Sequence, residues 1–162
     1  MANPTLGISL RALGTGALDL PVAGDTAWHH VVRATATLPQ TTAGALYTIT
    51  GGRILLVSII GEVTTIIQTQ ANNTKLTFNP TATGASTDIC ANLNISADAV
   101  GTLYGITGTI ANAMTDNMLM AVDQGNLILS EGTIDLTCAA SNTGSVKWDM
   151  FYIPLDEGAT VA

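Results

Sequence analysis

The segment Arg53-Ile54-Leu55-Leu56-Val57-Ser58-Ile59-Ile60 is apolar at every position except Arg53 and Ser58. Its shortness and its β-branched residues favour a strand over a helix. Successive side chains of a strand point to opposite faces, so both faces of this strand are apolar. The two predicted faces carry Ile54, Leu56 and Ile60 on one side and Leu55, Val57 and Ile59 on the other. A strand of this kind is expected to be buried on both faces.

Other short segments with alternating side chains follow along the chain, separated by turn sequences at intervals of about 8–12 residues, which is typical of all-β proteins. Thr133–Cys138 directs Ile134, Leu136 and Cys138 to one face. Ser145–Pro154 has one face with Val146, Trp148, Met150 and Tyr152, and a mixed face with Lys147, Asp149, Phe151 and Ile153. The pattern predicts strands near Trp28–Thr37, Ala45–Thr50, Arg53–Ile60, Glu62–Gln70, Lys75–Phe78, Asp88–Ser96, Thr102–Ile110, Met118–Val122, Leu127–Ser130, Thr133–Cys138 and Ser145–Pro154.

We therefore predict an all-β fold, a β-sandwich or jelly-roll-like antiparallel domain with an extended N-terminal arm. The domain spans residues 28–157, with the arm at 1–27 and a C-terminal tail at 158–162. Residues 1–27 are rich in glycine and proline and lack sustained alternation. This segment is either a poorly ordered N-terminus or an arm that lies on a neighbouring chain. In the second case its contacts to neighbouring subunits are Leu6, Ile8, Leu10, Leu13, Leu18 and Leu20.

The scarcity of charge excludes several functions. Charged residues make up 10% of the 162 residues, and the net charge is -7, whereas about 25% is usual in soluble domains. The five basic residues are isolated along the chain, so no patch suits nucleic acid or an anionic membrane surface. No apolar run approaches the roughly 20 residues of a membrane-spanning helix, and no secretory signal begins the sequence. The 25 threonines replace charge as the polar component.

Two pairs of residues are candidates for chemistry. His29 and His30 are neighbours, and on a strand they point to opposite faces, which disfavours one shared metal. They are either structural or surface residues, or one of them faces a symmetry axis where several copies converge. Cys90 and Cys138 lack the spacing of a redox or zinc motif, and they are either two buried thiols or a disulfide.

No pattern in the sequence indicates catalysis. Asp116, Asp123 and Glu131 lie in expected loops, where solvated acids are the default interpretation and a calcium site is the alternative. The sequence contains no nucleophile elbow, phosphate-binding loop or dinucleotide-binding motif. We therefore expect a protein that is not an enzyme and that has no cofactor and no metal.

Five segments together resemble a known group of proteins. They are Leu38–Thr42, Gly61–Thr65, Gln70–Lys75, Asp98–Tyr104 and Gly132–Ser141. They are similar to small Thr/Ala/Gly-rich proteins encoded among the head genes of tailed bacteriophages, over roughly residues 35–157. The resemblance implies a capsid decoration (minor capsid, or cement) protein that binds the major capsid protein. It also implies a homotrimer, made in the host cytoplasm and located on the outer surface of the virion, at local threefold positions. It supplies no catalytic residues.

Aromatic residues bear on the rival interpretation, a carbohydrate- or host-surface-binding β-module of a virion fibre or tail. Such modules display aromatic platforms for sugar rings, and the candidates here are Trp28, Tyr47 and Tyr104. Aromatic residues are only 4% of the chain, so a glycan contact is the weaker expectation. We expect the C-terminal aromatic residues to lie in the core or at the trimer contact. They are Trp148, Phe151 and Tyr152.

Overall fold

The computed structural model describes residues 28–118 and 126–162. These ranges contain twelve β-strands and no helix. The strands are β1 (His29–Thr37), β2 (Ala43–Thr50), β3 (Ile54–Thr65), β4 (Asn73–Pro80), β5 (Thr87–Asp88), β6 (Leu93–Asn94), β7 (Thr102–Gly105), β8 (Thr115–Met118), β9 (Leu127–Leu129), β10 (Gly132–Cys138), β11 (Ser145–Pro154) and β12 (Thr160–Val161). The predicted arm, residues 1–27 with Leu6, Ile8, Leu10, Leu13, Leu18 and Leu20, lies outside the described residues.

The strands form two antiparallel sheets. The first has the order β1-β11-β3-β7-β8, with β9 also beside β3, and the second has the order β12-β2-β10-β4-β5, with β6 also beside β4. The first half of the chain thus pairs with the second half in reverse: β1 with β11, β2 with β10, β3 with β7 and β9, and β4 with β5 and β6. Two further pairings, β11 with β3 and β10 with β4, fold this long hairpin over into a sandwich. This connectivity is that of a jelly roll, so the predicted fold class is confirmed.

The core lies between the two sheets, where the inward side chains of each strand meet. The first sheet contributes Ile54, Leu56, Ile59, Val63, Tyr104, Val146, Trp148, Met150 and Tyr152, and the second contributes Leu46, Tyr47, Ile49, Leu76, Ile134, Leu136 and Cys138. Hydrogen bonds also join the sheets. The Tyr47 hydroxyl donates to the Val31 carbonyl at 3.4 Å, and the Arg33 guanidinium donates to the Ala45 carbonyl at 2.6 Å.

Strand β3 is longer than the sequence predicts. The predicted break at Gly61 is absent, and Ile54–Thr65 forms one strand of 12 residues. Gly61 is aligned with Trp148 on β11, and a Cβ at this position would lie 2.9 Å from the indole ring. The glycine therefore lets a large ring pack directly against the backbone of the neighbouring strand, and it does not form a turn.

A β-bulge in the same strand changes which residues share a face. The pairing of β3 with β11 shifts between Phe151 and Tyr152, because β3 has one extra residue there that is not aligned with any residue of β11. The alternation changes phase at this point. Ile59 consequently joins Ile54 and Leu56 in the core, and Ile60 faces outward, the opposite of the predicted assignment for both residues.

Further differences from the prediction lie at the ends of the sheets. The segment predicted as one strand at Asp88–Ser96 is divided into β5 and β6, which both pair with β4. Residues 158–162 are not a separate tail, because Thr160 and Val161 pair with β2 and the Val161 side chain is buried. The Val161 amide also donates to the Tyr152 hydroxyl at 3.3 Å, so the C-terminus closes the edge of the second sheet.

Candidate interaction faces

The outer face of the first sheet, called the front face below, is mainly apolar. It is formed by His30 and Val32 of β1, Leu55, Val57, Ile60 and Glu62 of β3, Ile128 of β9, and Lys147, Asp149, Phe151 and Ile153 of β11. Ile153, Leu55 and Ile128 are aligned across three strands. Ile128 is 65% exposed and Val32 is 49% exposed. The other apolar side chains of this face are half-buried, so the expected burial of β3 on both faces is incomplete within the described part of one chain.

One aromatic stack and one small charge cluster lie within the front face. The rings of His30 and Phe151 are stacked, with centroids 4.4 Å apart and an interplanar angle of 6°. His30 Nε2 donates to Asp149 Oδ1 at 2.8 Å, and Lys147 Nζ lies 3.3 Å from Asp149 Oδ2. Lys147 is also aligned with Glu62 on β3. Asp149 and Glu62 therefore both lie beside Lys147.

The two histidines point to opposite faces, as the alternation predicts. His29 faces inward, where its ring is stacked on Tyr152 at a centroid distance of 5.1 Å, while His30 lies on the front face. The two rings therefore do not share a site in one chain. Within residues 28–118 and 126–162, no group of three or more His, Cys, Asp or Glu side chains is arranged to hold a metal ion.

The outer face of the second sheet, called the back face below, has small polar side chains instead. It is formed by Ala45 and Thr48 of β2, Lys75, Thr77 and Asn79 of β4, and Thr133, Asp135 and Thr137 of β10. The hydroxyls of Thr77 and Thr137 lie 3.3 Å apart across two strands, and Lys75 Nζ lies 2.7 Å from Asp88 Oδ1. These contacts pair several polar groups of the back face, whereas Asp135 Oδ1 is buried without a hydrogen-bond partner among the described residues. The residues named for this face include no large apolar side chain.

The predicted C-terminal aromatic residues lie on two different faces of β11. Trp148 and Tyr152 are buried in the core, where the Trp148 ring lies 6.3 Å from the ring of Tyr104. Phe151 lies on the front face, where it is half-buried. Phe151 is therefore the one member of this set that faces outward.

The aromatic platform required by a glycan-binding module is not formed by the predicted candidates. Tyr47 and Tyr104 are both buried. The Tyr104 hydroxyl donates to Asp98 Oδ2 at 2.6 Å, and burial together with this carboxylate raises the pKa of Tyr104 well above its usual value. Trp28, which is 67% exposed, is the only one of the three candidates that a sugar could contact.

The cysteines form no disulfide. Cys90 and Cys138 are free and buried, which decides between the two alternatives left open by the sequence. Both flank β4: the Leu76 amide donates to Cys90 Sγ at 3.3 Å, and the Thr74 hydroxyl donates to Cys138 Sγ at 3.7 Å. Burial raises the pKa of both thiols, which keeps them in the unreactive protonated form.

Two buried asparagines anchor the loops at one end of the sandwich. Asn72 Oδ1 accepts hydrogen bonds from the amides of Ala139 and Ala140 at 2.9 and 3.0 Å. Asn142 Nδ2 donates to the Gln70 carbonyl at 2.9 Å. Their role is to satisfy backbone groups that the loops leave unpaired.

The opposite end of the sandwich is fixed by an ion pair. Arg53 Nη2 and Nε donate to the two carboxylate oxygens of Asp156 at 2.7 and 2.9 Å, and the Arg53 amide donates to the same side chain. These hydrogen bonds lower the pKa of Asp156 below its usual range. A shallow depression of about 350 Å³ lies beside this pair, lined by Gly52, Thr81, Ala82, Ser130 and Glu131.

Comparisons with known proteins assign the chain to no family. No family model matches it, and no curated protein sequence matches it. Among solved structures, one titled "Structure of infectious bursal disease virus Gx strain" aligns with 86% of this chain and 36% of that chain, at 10% identity and a TM-score of 0.22. A TM-score this low does not establish a shared fold, so the match has no bearing on function. The described part of the chain contains no helix that could cross a membrane.

Proposed function

We propose that this chain is a capsid decoration protein of a tailed bacteriophage, without enzymatic activity, that binds the outer surface of the shell as a homotrimer. Its partners are the major capsid protein and other copies of itself, and its location is the outer surface of the virion. The resemblance of Leu38–Thr42, Gly132–Ser141 and the segments between them to phage head proteins supports this assignment. The jelly-roll fold is compatible with it, because capsid and lectin domains both use this fold, but a fold alone does not define a function.

The observation that carries the proposal is the front face. An antiparallel sheet with one face in the core commonly carries polar side chains on the face that meets water. Here the second sheet has such a face, whereas the first exposes Val32 and Ile128 and leaves several other apolar side chains half-buried. Large apolar patches of this kind mark surfaces that another protein covers. A subunit of an assembly has this asymmetry, and an isolated enzyme or carrier does not need it.

The shell contact in this proposal is made by residues 1–27. An extended segment can add contact area by pairing its backbone with a neighbouring subunit. Its apolar side chains, Leu6, Ile8, Leu10, Leu13, Leu18 and Leu20, would supply the buried area. The sandwich would then provide the rigid body that bridges subunits of the shell.

The rival function, a carbohydrate- or host-surface-binding module, has less support. Tyr47 and Tyr104 are buried, so a glycan could use only Trp28 among the candidates. A glycan array with saturable binding by the native protein, abolished by Trp28→Ala, would favour the rival.

The decisive experiment is co-sedimentation of the purified protein with empty shells of the cognate major capsid protein. We expect saturable binding by the full chain, and loss of binding by a variant lacking residues 1–27 that keeps the far-ultraviolet circular dichroism of a β-protein. Binding retained after the deletion would refute the role of the arm. A full chain that ignores the shells would refute the proposed function.

A further inference from the structure

We infer that the front face is the surface through which copies of this chain associate, so that the front faces of neighbouring copies meet around a common axis. The inference rests on the proposed function only for the number of copies, which is three. The assignment of the surface rests on the geometry of the first sheet. The inference identifies the partner of the front face as a second copy of the same chain, and not as the shell.

The size of the front face suits a protein contact. Strands β1, β11, β3 and β9 lie side by side across it. β1, β11, β3 and β9 have 9, 10, 12 and 3 residues. With strands about 4.8 Å apart and about 3.3 Å per residue, the face covers about 540 Å². Each partner in an interface of standard size buries about 800 Å². The front face therefore offers about two thirds of the area that each partner of such an interface buries.

The charges of the front face favour a second copy over other occupants. Two chains that each carry a net charge of -7 repel one another over most of their surfaces. On the front face, however, Asp149 lies beside both His30 and Lys147, and Glu62 is aligned with Lys147. The repulsion is locally reduced there, and a cation of one copy can meet an acid of the next. A partner of a single charge sign would match either Lys147 or the two acids, and not both.

The aromatic stack lowers the entropic cost of the contact. Phe151 is half-buried and lies parallel to the His30 ring, which is itself held by Asp149. Fewer side-chain rotations are therefore lost when another surface covers this position. Preformed aromatic anchors near the centre of a patch are typical of the residues that dominate interface energies.

A pair of matched variants tests the inference by sedimentation of the full chain. Val32→Lys with Ile128→Lys places two charges on the front face, at side chains that are exposed in one copy. Ala45→Lys with Thr48→Lys places the same two charges on exposed positions of the back face. Both variants carry the same net charge, so a difference between them reports the face and not the charge. Circular dichroism checks that both are folded, and Ile128→Lys alone replaces the front-face variant if the double variant is unfolded.

Sedimentation equilibrium is measured from about 1 µM to about 100 µM, because association depends on concentration. We expect the native chain and the back-face variant to associate, and the front-face variant to associate at least about tenfold more weakly. A monomeric native chain would overturn the inference. So would a front-face variant that associates as the native chain does, or a back-face variant that is equally weakened.

The same proteins separate this inference from the proposed function. A native chain that associates through the front face but does not bind shells leaves the inference standing and refutes the decoration role. The opposite outcome is a native chain that is monomeric in solution and binds shells, together with a front-face variant that does not bind them. In that case the shell occupies the front face, and the inference is wrong.

Discussion

The two outer faces of this sandwich differ although the two inner faces are alike. On the front face, Phe151 and Ile153 lie beside apolar residues of β3, whereas the equivalent layer of the back face consists mainly of threonine, alanine and a few charged residues. Both sheets fill one core with the same kinds of side chain. The difference therefore cannot serve the folding of the single chain. Under the proposed function, the front face is built for contact and the back face for water.

The low charged fraction has its explanation in this difference. The back face replaces charge with threonine hydroxyls that bond to one another, as Thr77 and Thr137 do. The front face replaces charge with apolar area, as Val32 and Ile128 illustrate. The four changes below test the comparison, beginning with the largest expected effect on stability.

Trp148→Ala tests the core between the two sheets. The indole is buried between the sheets, and removal of a large buried ring costs about 3–5 kcal/mol. We expect urea denaturation to show that the free energy of unfolding falls by an amount in this range. Phe151→Ala, three residues later on the front face, is the control, because the ring is only half-buried. Equal losses would contradict the assignment of the two residues to different faces.

Gly61→Val tests the close packing of β11 on β3. A Cβ at this position would lie 2.9 Å from the Trp148 ring, and overpacking of a core typically costs about 1–3 kcal/mol. We expect a loss of this size in thermal or urea denaturation. Gly84→Ala is the control, because the nearest atom to its Cβ is Pro80 Cγ at an ordinary 3.5 Å. A Gly61→Val protein as stable as the native one would show that the ring lies elsewhere.

Ile60→Thr makes one position of the front face resemble the back face. Ile60 is half-buried and aligned with Asp149. We expect the single chain to lose no more than about 1 kcal/mol, because surface substitutions have small effects. Self-association should weaken by at least about tenfold, because each contact between copies in the proposed trimer would lose apolar area. Thr133→Ala on the back face should leave self-association unchanged. If Thr133→Ala weakened self-association more than Ile60→Thr does, the contrast between the two faces would be contradicted.

Asp98→Asn tests a site that belongs to neither face. Burial raises the pKa of Asp98, although its hydrogen bond from Tyr104 opposes this effect. A carboxyl whose pKa is higher in the folded state binds its proton more tightly there, so folding gains stability as the pH falls through that pKa toward the unfolded value. We therefore expect the free energy of unfolding of the native protein to rise relative to that of Asp98→Asn as the pH falls from 7 to 4. The rise should be less than about 1 kcal/mol, because the group is partly exposed. A native protein that loses stability relative to the variant over this range would contradict this account.

The sequence predicts much of the fold because local alternation defines the strands. The faces of Thr133–Cys138 and Ser145–Pro154 follow directly from it, and so does the outward position of Phe151. The alternation fails where a partner strand decides the outcome. Gly61 is read as a turn residue because the sequence does not show that Trp148 packs against it. The bulge that exchanges the faces of Ile59 and Ile60 likewise depends on the register with β11.

The front face is predicted from the sequence only in part. The outward set of β11 and the residues Leu55 and Val57 are recognisable from their patterns. The contributions of Val32 and Ile128 are not, because these residues come from strands distant in sequence that only the sheet order brings beside β11 and β3. The state of Cys90 and Cys138 is likewise a matter of three-dimensional position, since each thiol lies against a different residue of β4.

The most direct test of the central claim is carbene footprinting of the full chain, read by mass spectrometry at low and at high protein concentration. We expect labelling of β9 and β11, which carry Ile128 and Phe151 on the front face, to fall as the concentration rises. Labelling of β2 and β4, which carry Thr48 and Lys75 on the back face, should stay constant. Protection of the back face, or equal labelling of both faces at every concentration, would contradict the account.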